Sequence, residues 1–302
     1  MFGFRYGAGF VAALLLLSIT SNADATSVRV QSHYSPRIAV LALGGIQRLR
    51  AEVRRVLSDA GATIVADGLA DAAARGVGYD GSLNPTRDDV KRLVSAIGAE
   101  TVVVGTSSVV ERESGDPSRR WDAFAGVFLV DGRSGRLLRY RGLSILDASR
   151  EVAEARLISA VAAELATWVD VVRSDGIAIA DEWNSEDATF VDFVSQPEGS
   201  PDLIPPRFFS RPVPAYTPDA DRVHATATVE LLVEFLADGS YGRIDVVRWA
   251  GFGLDEASIL AVRSSKFWPA RRVGVSVPAR AMIRFNFRFR GDEPIDVSGK
   301  HP

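Results

Sequence analysis

Side chains that do acid–base, nucleophilic or metal chemistry are few in this sequence and poorly spaced for it. Cysteine is absent, which excludes disulfides, thiolate metal sites, cysteine nucleophiles and an acylated lipoprotein cysteine. His33, His224 and His301 are the only histidines; they lack ligand spacing, so no metal site is expected. Neither a Gly-x-Ser-x-Gly elbow nor a Gly-Lys-Ser/Thr phosphate loop occurs. Gly44-Gly45 stands before a helical pattern, where its N–H groups could hold an anion or make a tight turn; the turn is the expected reading. Gly251-x-Gly253 lacks the third glycine of a dinucleotide loop. Asp88-Asp89 and Asp181-Glu182 read as helix-start or surface charges. Trp183 and Trp249 are weighed as a ligand surface against core packing, and core is expected. The chain is therefore expected to be no enzyme and to need no cofactor.

One row of residues does carry a pattern. Ala281, Ile283, Phe285, Phe287 and Phe289 alternate with Arg280, Met282, Arg284, Asn286, Arg288 and Arg290. A period of two means a strand with one buried face and one solvated, basic face. At a sheet edge such a strand presents unpaired N–H and C=O groups that a second chain can satisfy. Its arginines then favour an acidic partner, or else serve only to keep the edge soluble; both readings stay open. The candidate binding edge is thus Arg280, Met282, Arg284, Asn286, Arg288 and Arg290.

Two groups of elements must position that strand. In the first, Arg37 to Leu43 is an apolar run suited to a strand buried on both faces. Ile46, Leu49, Val53, Val56, Leu57 and Ala60 then mark one face of a helix ending at Gly61. A strand over Ala62 to Ala66 follows. Thr86 caps a helix over Arg87 to Ile97, with Asp89 completing a weak capping box and Gly98 closing it. Thr101 to Val104 begins a strand, and Glu111 to Arg120 reads as a long exposed connection. Trp121 to Val130 and Arg136 to Leu146 form a hairpin around Asp131-Gly132-Arg133-Ser134-Gly135. A long helix over Ser149 to Val172 buries Ile158, Val161, Leu165, Trp168, Val169 and Val172. This alternation predicts a mixed sheet with helices packed on it over residues 36–175. Residues 176–195 are ambiguous, with Ala188 to Val194 alternating like a short strand.

Prolines at 197, 201, 205, 206, 212, 214 and 218 make residues 196–218 a stiff linker. Thr226 to Leu236 and Gly242 to Trp249 are predicted to pair around Asp238-Gly239. A helix of about ten residues follows Gly251-Phe252-Gly253, with Asp255 and Glu256 in its first turn. The expected second domain, residues 219–291, is a small antiparallel sheet with one helix across it, followed by a tail over 292–302. The fold class is α+β in a secreted two-domain protein.

At 302 residues with a net charge of −3, the chain has the length of two modest domains and no nucleic-acid footprint. Arg5 followed by the apolar run Phe10 to Thr20 and small residues reads as a signal peptide over residues 1–25, shorter than the roughly 20 apolar residues that span a bilayer. Cleavage would start the mature chain near Asp24 or Thr26; an uncleaved single-pass inner-membrane anchor is the alternative.

Several motifs resemble the TonB carboxy-terminal family over about residues 212–290. They are Pro214-Ala215-Tyr216-Thr217-Pro218, Val233-Glu234-Phe235-Leu236-Ala237-Asp238-Gly239, Leu254-Asp255-Glu256-Ala257, Phe267-Trp268-Pro269-Ala270, Gly274-Val275-Ser276-Val277 and the closing strand. The resemblance implies a periplasmic module that binds the TonB box of outer-membrane transporters as an added strand. Its expected partners are proteins: TonB-dependent transporters or other envelope proteins, with energy transduction in the anchored version and an assembly scaffold as a further alternative. Residues 36–175 resemble, at the level of fold, the TolB amino-terminal and curli-secretion α/β domains. The carriers are Gly44-Gly45, Gly98 to Val104 and the Val130-to-Leu137 hairpin. This resemblance implies a binding or assembly module.

Overall fold

The computed structural model describes residues 34–112, 120–178, 190–194 and 202–289. The apolar run after Pro36 forms strand β1 (Arg37–Val40), with Ile38, Ala39 and Val40 fully buried. Gly44 turns the chain at φ 78° against β-strand backbone, and a Cβ there would collide with the Ser107 amide. The N–H groups of Gly45 and Ile46 donate to the Ser107 carbonyl and hydroxyl at 2.9 and 3.0 Å. The glycine pair is therefore a tight turn, and those two donors are already bound. Helix α1 (Gln47–Asp59) buries Leu49, Val53 and Leu57, the face that its periodicity predicts.

Strand β2 (Thr63–Ile64) pairs in parallel with β1. Helix α2 (Asp67–Gly76) was not anticipated; it buries Ala70 and Ala74. Asp67 and Asp71 tie it to Arg54 and Arg50 of α1. Helix α3 (Arg87–Ile97) has the expected bounds, its Thr86–Asp89 capping box formed and Gly98 left-handed at φ 67°.

Strands β3 (Thr101–Arg112), β4 (Arg120–Asp131) and β5 (Leu137–Asp147) are antiparallel neighbours. Both ends of the expected 111–120 connection belong to the ladder, where Glu111 faces Trp121 and Arg112 faces Arg120. Its middle lies outside the described residues. The single long helix expected from Ser149 is two, α4 (Arg150–Ala166) and α5 (Trp168–Ala178), interrupted at Thr167, whose hydroxyl donates to the Glu164 carbonyl.

The five strands run in the order β2-β1-β3-β4-β5. Period-two alternation splits their side chains between two cores. Ile38, Val40, Val103, Ala125, Val127 and Leu129 meet α1, α4 and α5. Ala39, Leu41, Val102, Val104, Phe124 and Phe128 belong to the other core, with α2 and α3.

That second core is completed by the carboxy-terminal part of the chain. Strand β6 (Val191–Asp192) lies in the segment read as ambiguous. The stretch expected as a linker is extended, and it carries β7 (Leu203–Ile204) and β8 (Arg207–Phe208). Helix α6 (Pro218–Arg222) begins where Thr217 caps it. Strands β9 (Ala227–Phe235) and β10 (Tyr241–Arg248) pair as predicted, and α7 (Leu254–Ser264) follows. Three short strands, β11 (Phe267–Trp268), β12 (Ala270–Arg272) and β13 (Val275–Val277), precede β14 (Ala279–Phe287). The main sheet of this part is β10-β9-β14-β6.

From Tyr34 onward the described residues form one compact unit. Val229, Leu231, Val233, Phe235, Trp249 and Phe252 join the same buried cluster as Phe124 and Phe128. Phe128 packs at 5.4 Å from Trp249 and 5.2 Å from Phe252, ring centre to centre. Trp249 is thus core, as expected; Trp183 lies outside the described residues. Polar contacts frame the rings. Asn84 donates to the Thr228 and Trp249 carbonyls, while Arg87 and Arg136 converge on the Asp245 carboxylate.

Candidate functional site

Strand β14 sits between β9 and β6. Its full length pairs antiparallel with β9, from Ala279 opposite Phe235 to Phe287 opposite Ala227. On its other side β6 runs parallel and covers only the first two residues, Ala279 against Val191 and Arg280 against Asp192. The Val191 N–H donates to the Pro278 carbonyl at 2.9 Å, and the Phe193 N–H to the Arg280 carbonyl at 2.8 Å.

Those two bonds set the direction of every main-chain group beyond them. In a strand, the N–H and C=O of one residue point to the same side and alternate from residue to residue. Since Pro278 and Arg280 face β6, the groups of Met282, Arg284 and Asn286 face the same way. Among the described residues no strand lies beyond them. Three of the candidate positions therefore carry their main chain on the open side.

Their side chains differ from the free basic face that the sequence suggests. Arg280 pairs with Glu234 across the strands at 3.1 Å, with both side chains largely buried, and stands 4.5 Å over the Phe190 ring. Arg284 pairs with Glu230 at 2.6 Å. Asn286 accepts from the Thr228 hydroxyl at 3.0 Å. Met282 is half-buried, Arg288 is exposed, and Arg290 lies outside the described residues. The pairing follows from register: β9 places Glu230 and Glu234 directly opposite Arg284 and Arg280, and opposite charges at facing positions attract. The sequence shows both rows but not their alignment.

Near the carboxy-terminal end of β14 lies a groove of about 890 Å³ between Arg211–Pro214, Tyr216, Asp221, His224 and Phe285–Phe289. His224 stacks on Phe289 with ring centres 3.9 Å apart. This groove and Phe193, which is buried against Ala270 and Ala279, were missed in the sequence. Their residues come together only through contacts distant in the chain.

The remaining sequence candidates have structural roles. Asp89 closes its capping box, and its carboxyl is held below the ordinary range by bonds from Thr86. Asp255 is buried at the start of α7, where its carboxylate accepts the Ala250 and Gly251 N–H groups at 2.9 and 2.8 Å. Burial pushes its pKa up to about 7 against the opposing pull of those two bonds. Gly251, at φ 68°, leaves no room for a Cβ beside Phe128, so the Gly251-x-Gly253 pair serves close packing. His33, His301 and Asp181-Glu182 lie outside the described residues. Among the described residues no group of three histidine, aspartate or glutamate side chains is placed to hold a metal ion, and no helix is long and apolar enough to cross a membrane.

Residues 212–289 match the family model described as Gram-negative bacterial TonB protein C-terminal, the stretch from which that resemblance was read. Among solved structures, the chain is similar to the TonB CTD of Pseudomonas aeruginosa, with 22% identity, covering 30% of this chain and 92% of that one at a TM-score of 0.23. Lipoprotein GNA1162 from Neisseria meningitidis is 19% identical over 44% of this chain and 99% of that one, at a TM-score of 0.31. The LpoB C-terminal domain from Salmonella enterica is 16% identical over 37% and 82%, at 0.28. No curated protein matches the chain.

Proposed function

We propose that this chain is a periplasmic, TonB-like protein-binding protein that takes extended peptides of envelope partners as an added strand on β14, in the service of outer-membrane transport. One observation carries the reading: the main-chain groups of Met282, Arg284 and Asn286 point away from β9 with no described strand beyond them. β6 supports it from inside the chain, because it already pairs with that edge in parallel. A partner strand would continue from Arg280 toward Arg288 and Arg290 and end beside the His224–Phe289 groove. With Arg280 and Arg284 neutralised by Glu234 and Glu230, pairing rests on the main chain more than on charge. The expected partners are TonB-dependent outer-membrane transporters or other envelope proteins.

Proline substitution tests the edge, because proline removes one N–H and is tolerated on edge strands. The Arg284 N–H faces outward, so Arg284→Pro is expected to abolish binding of TonB-box peptides while the fold persists. The Ile283 N–H faces β9, so Ile283→Pro is expected to damage the fold itself. Undiminished peptide binding by a folded Arg284→Pro protein would sink the strand-addition reading.

An envelope scaffold without energy transduction is the second reading. It is favoured by the core that the TonB-like sheet shares with the five-stranded sheet, which holds it against a neighbour and not at the end of a free tether. The amino terminus of the protein in isolated envelopes bears on both. A start near Asp24 or Thr26 fits a soluble adaptor, and an intact Met1 in the inner membrane would instead make it an anchored transducer.

A further inference from the structure

The short strands pair in two small sheets, β11-β8 and β13-β12-β7, whose β8–β11 and β7–β12 ladders share one register like two halves of one ribbon. Leu203 faces Arg272, Ile204 faces Arg271, Arg207 faces Trp268 and Phe208 faces Phe267. The ladder extends at both ends, where the Phe209 N–H donates to the Lys266 carbonyl and the Val273 N–H to the Asp202 carbonyl. No residue is inserted or lost along it. The gap between its halves holds Pro205, Pro206 and Pro269, which have no N–H to supply a rung.

Alternation then assigns faces. Phe208 and Phe267 turn inward onto Phe235, with ring centres at 5.8 and 4.8 Å. Arg207, Phe209, Lys266 and Trp268 must therefore turn outward, and all four are exposed. Phe209 and Trp268 are 54% and 59% exposed, and their rings touch at 4.5 Å. A cation stands opposite each ring: Arg207 beside Trp268, Lys266 beside Phe209. At the far end the exposed face switches: Ala270, in step with Trp268, is buried on Phe193 and Ala279, while Arg271, in step with Phe267, is exposed ahead of a turn whose tip, Val273, is 77% exposed at φ 49°. A β-branched residue is a poor occupant of that conformation, and here its side chain packs on almost nothing.

The two paired stretches hold four cations, Arg207, Lys266, Arg271 and Arg272, and one acid, Asp202. None of the four cations forms an ion pair among the described residues, whereas Arg280 and Arg284 of nearby β14 each hold a glutamate. This is local positive charge on a chain whose net charge is −3.

From this ribbon we infer that the chain docks on an anionic phospholipid surface. Exposed aromatic rings settle at the headgroup level of a bilayer. Arginine and lysine stems lie along its apolar boundary while their heads reach phosphates. The docking face is therefore the ring pair at one end of the ribbon, Phe209 and Trp268, with Arg207 and Lys266 standing opposite them.

Flotation of the compact unit from Tyr34 onward with lipid vesicles tests this. The protein is expected to float with phosphatidylcholine–phosphatidylglycerol vesicles, to stay behind with phosphatidylcholine alone, and to release as salt is raised. Phe209→Ser with Trp268→Ser, and separately Arg207→Glu with Lys266→Glu, should each weaken flotation about tenfold or more. All four side chains are exposed, so melting temperatures should not move. No flotation at low salt, or variants that float like the parent, would overturn the inference. So would binding to polyglutamate without binding to vesicles, which would assign the patch to an acidic protein. Arg284→Pro should leave flotation unchanged, so the outcome is independent of strand addition.

Discussion

At the scale of single residues, the chain spends its unusual chemistry on packing. Gly251 was visible as a glycine in a loop, but only the approach of Phe128 shows why no side chain fits. Gly251→Ala combines a positive φ with a collision, and about 3 kcal/mol of destabilisation is expected by denaturant titration. Asp255 was legible as a favourable charge at a helix start, whereas its burial was not. Its pKa is raised from 3.8 to about 7 in the folded state, so protons bind more tightly folded than unfolded. The stability from this group is complete below the unfolded value and is lost as pH rises through about 7. Asp255→Asn should flatten that part of the stability-versus-pH curve, and an unchanged slope would show that the carboxyl does not titrate there.

Among the elements, those with strong local signals were placed well and those without were not. α3 has its box and its left-handed glycine, and β14 its period of two; both are written in contiguous residues. α2 has only an alanine-rich run, and its position depends on Arg50 and Arg54 of another helix. The break at Thr167 was invisible because the apolar face of α4 continues into Trp168 and Val169. β6 is the clearest case: two residues become a strand only because β14 offers them an edge. Phe193→Ala removes the side chain that anchors β6 on Ala270 and Ala279. Hydrogen exchange should then show fast amides at Val191 and Phe193 with the rest of the protein nearly as protected as before. Protection that persists at both amides would mean that the main-chain bonds alone hold β6.

For the whole molecule, the shared core changes what counts as a working unit. Residues 212–302 expressed alone would expose Trp249 and Phe252, the rings that meet Phe128. That fragment should therefore melt well below the compact unit, or fail to melt cooperatively in calorimetry. Asp245→Ala leaves Arg87 and Arg136 without their shared carboxylate at the same junction and should cost about 2 kcal/mol. The sequence by itself determined the type of the elements with strong local signals, the TonB-like order of the last quarter and the row of even-numbered positions on β14. These signals are local, carried by period, caps and turn residues. Tertiary structure alone decided that Arg280 and Arg284 are paired, that β6 occupies the start of the edge, and that Trp249 joins the two sheets. Each of those depends on register or contact between residues tens of positions apart, which no local pattern encodes.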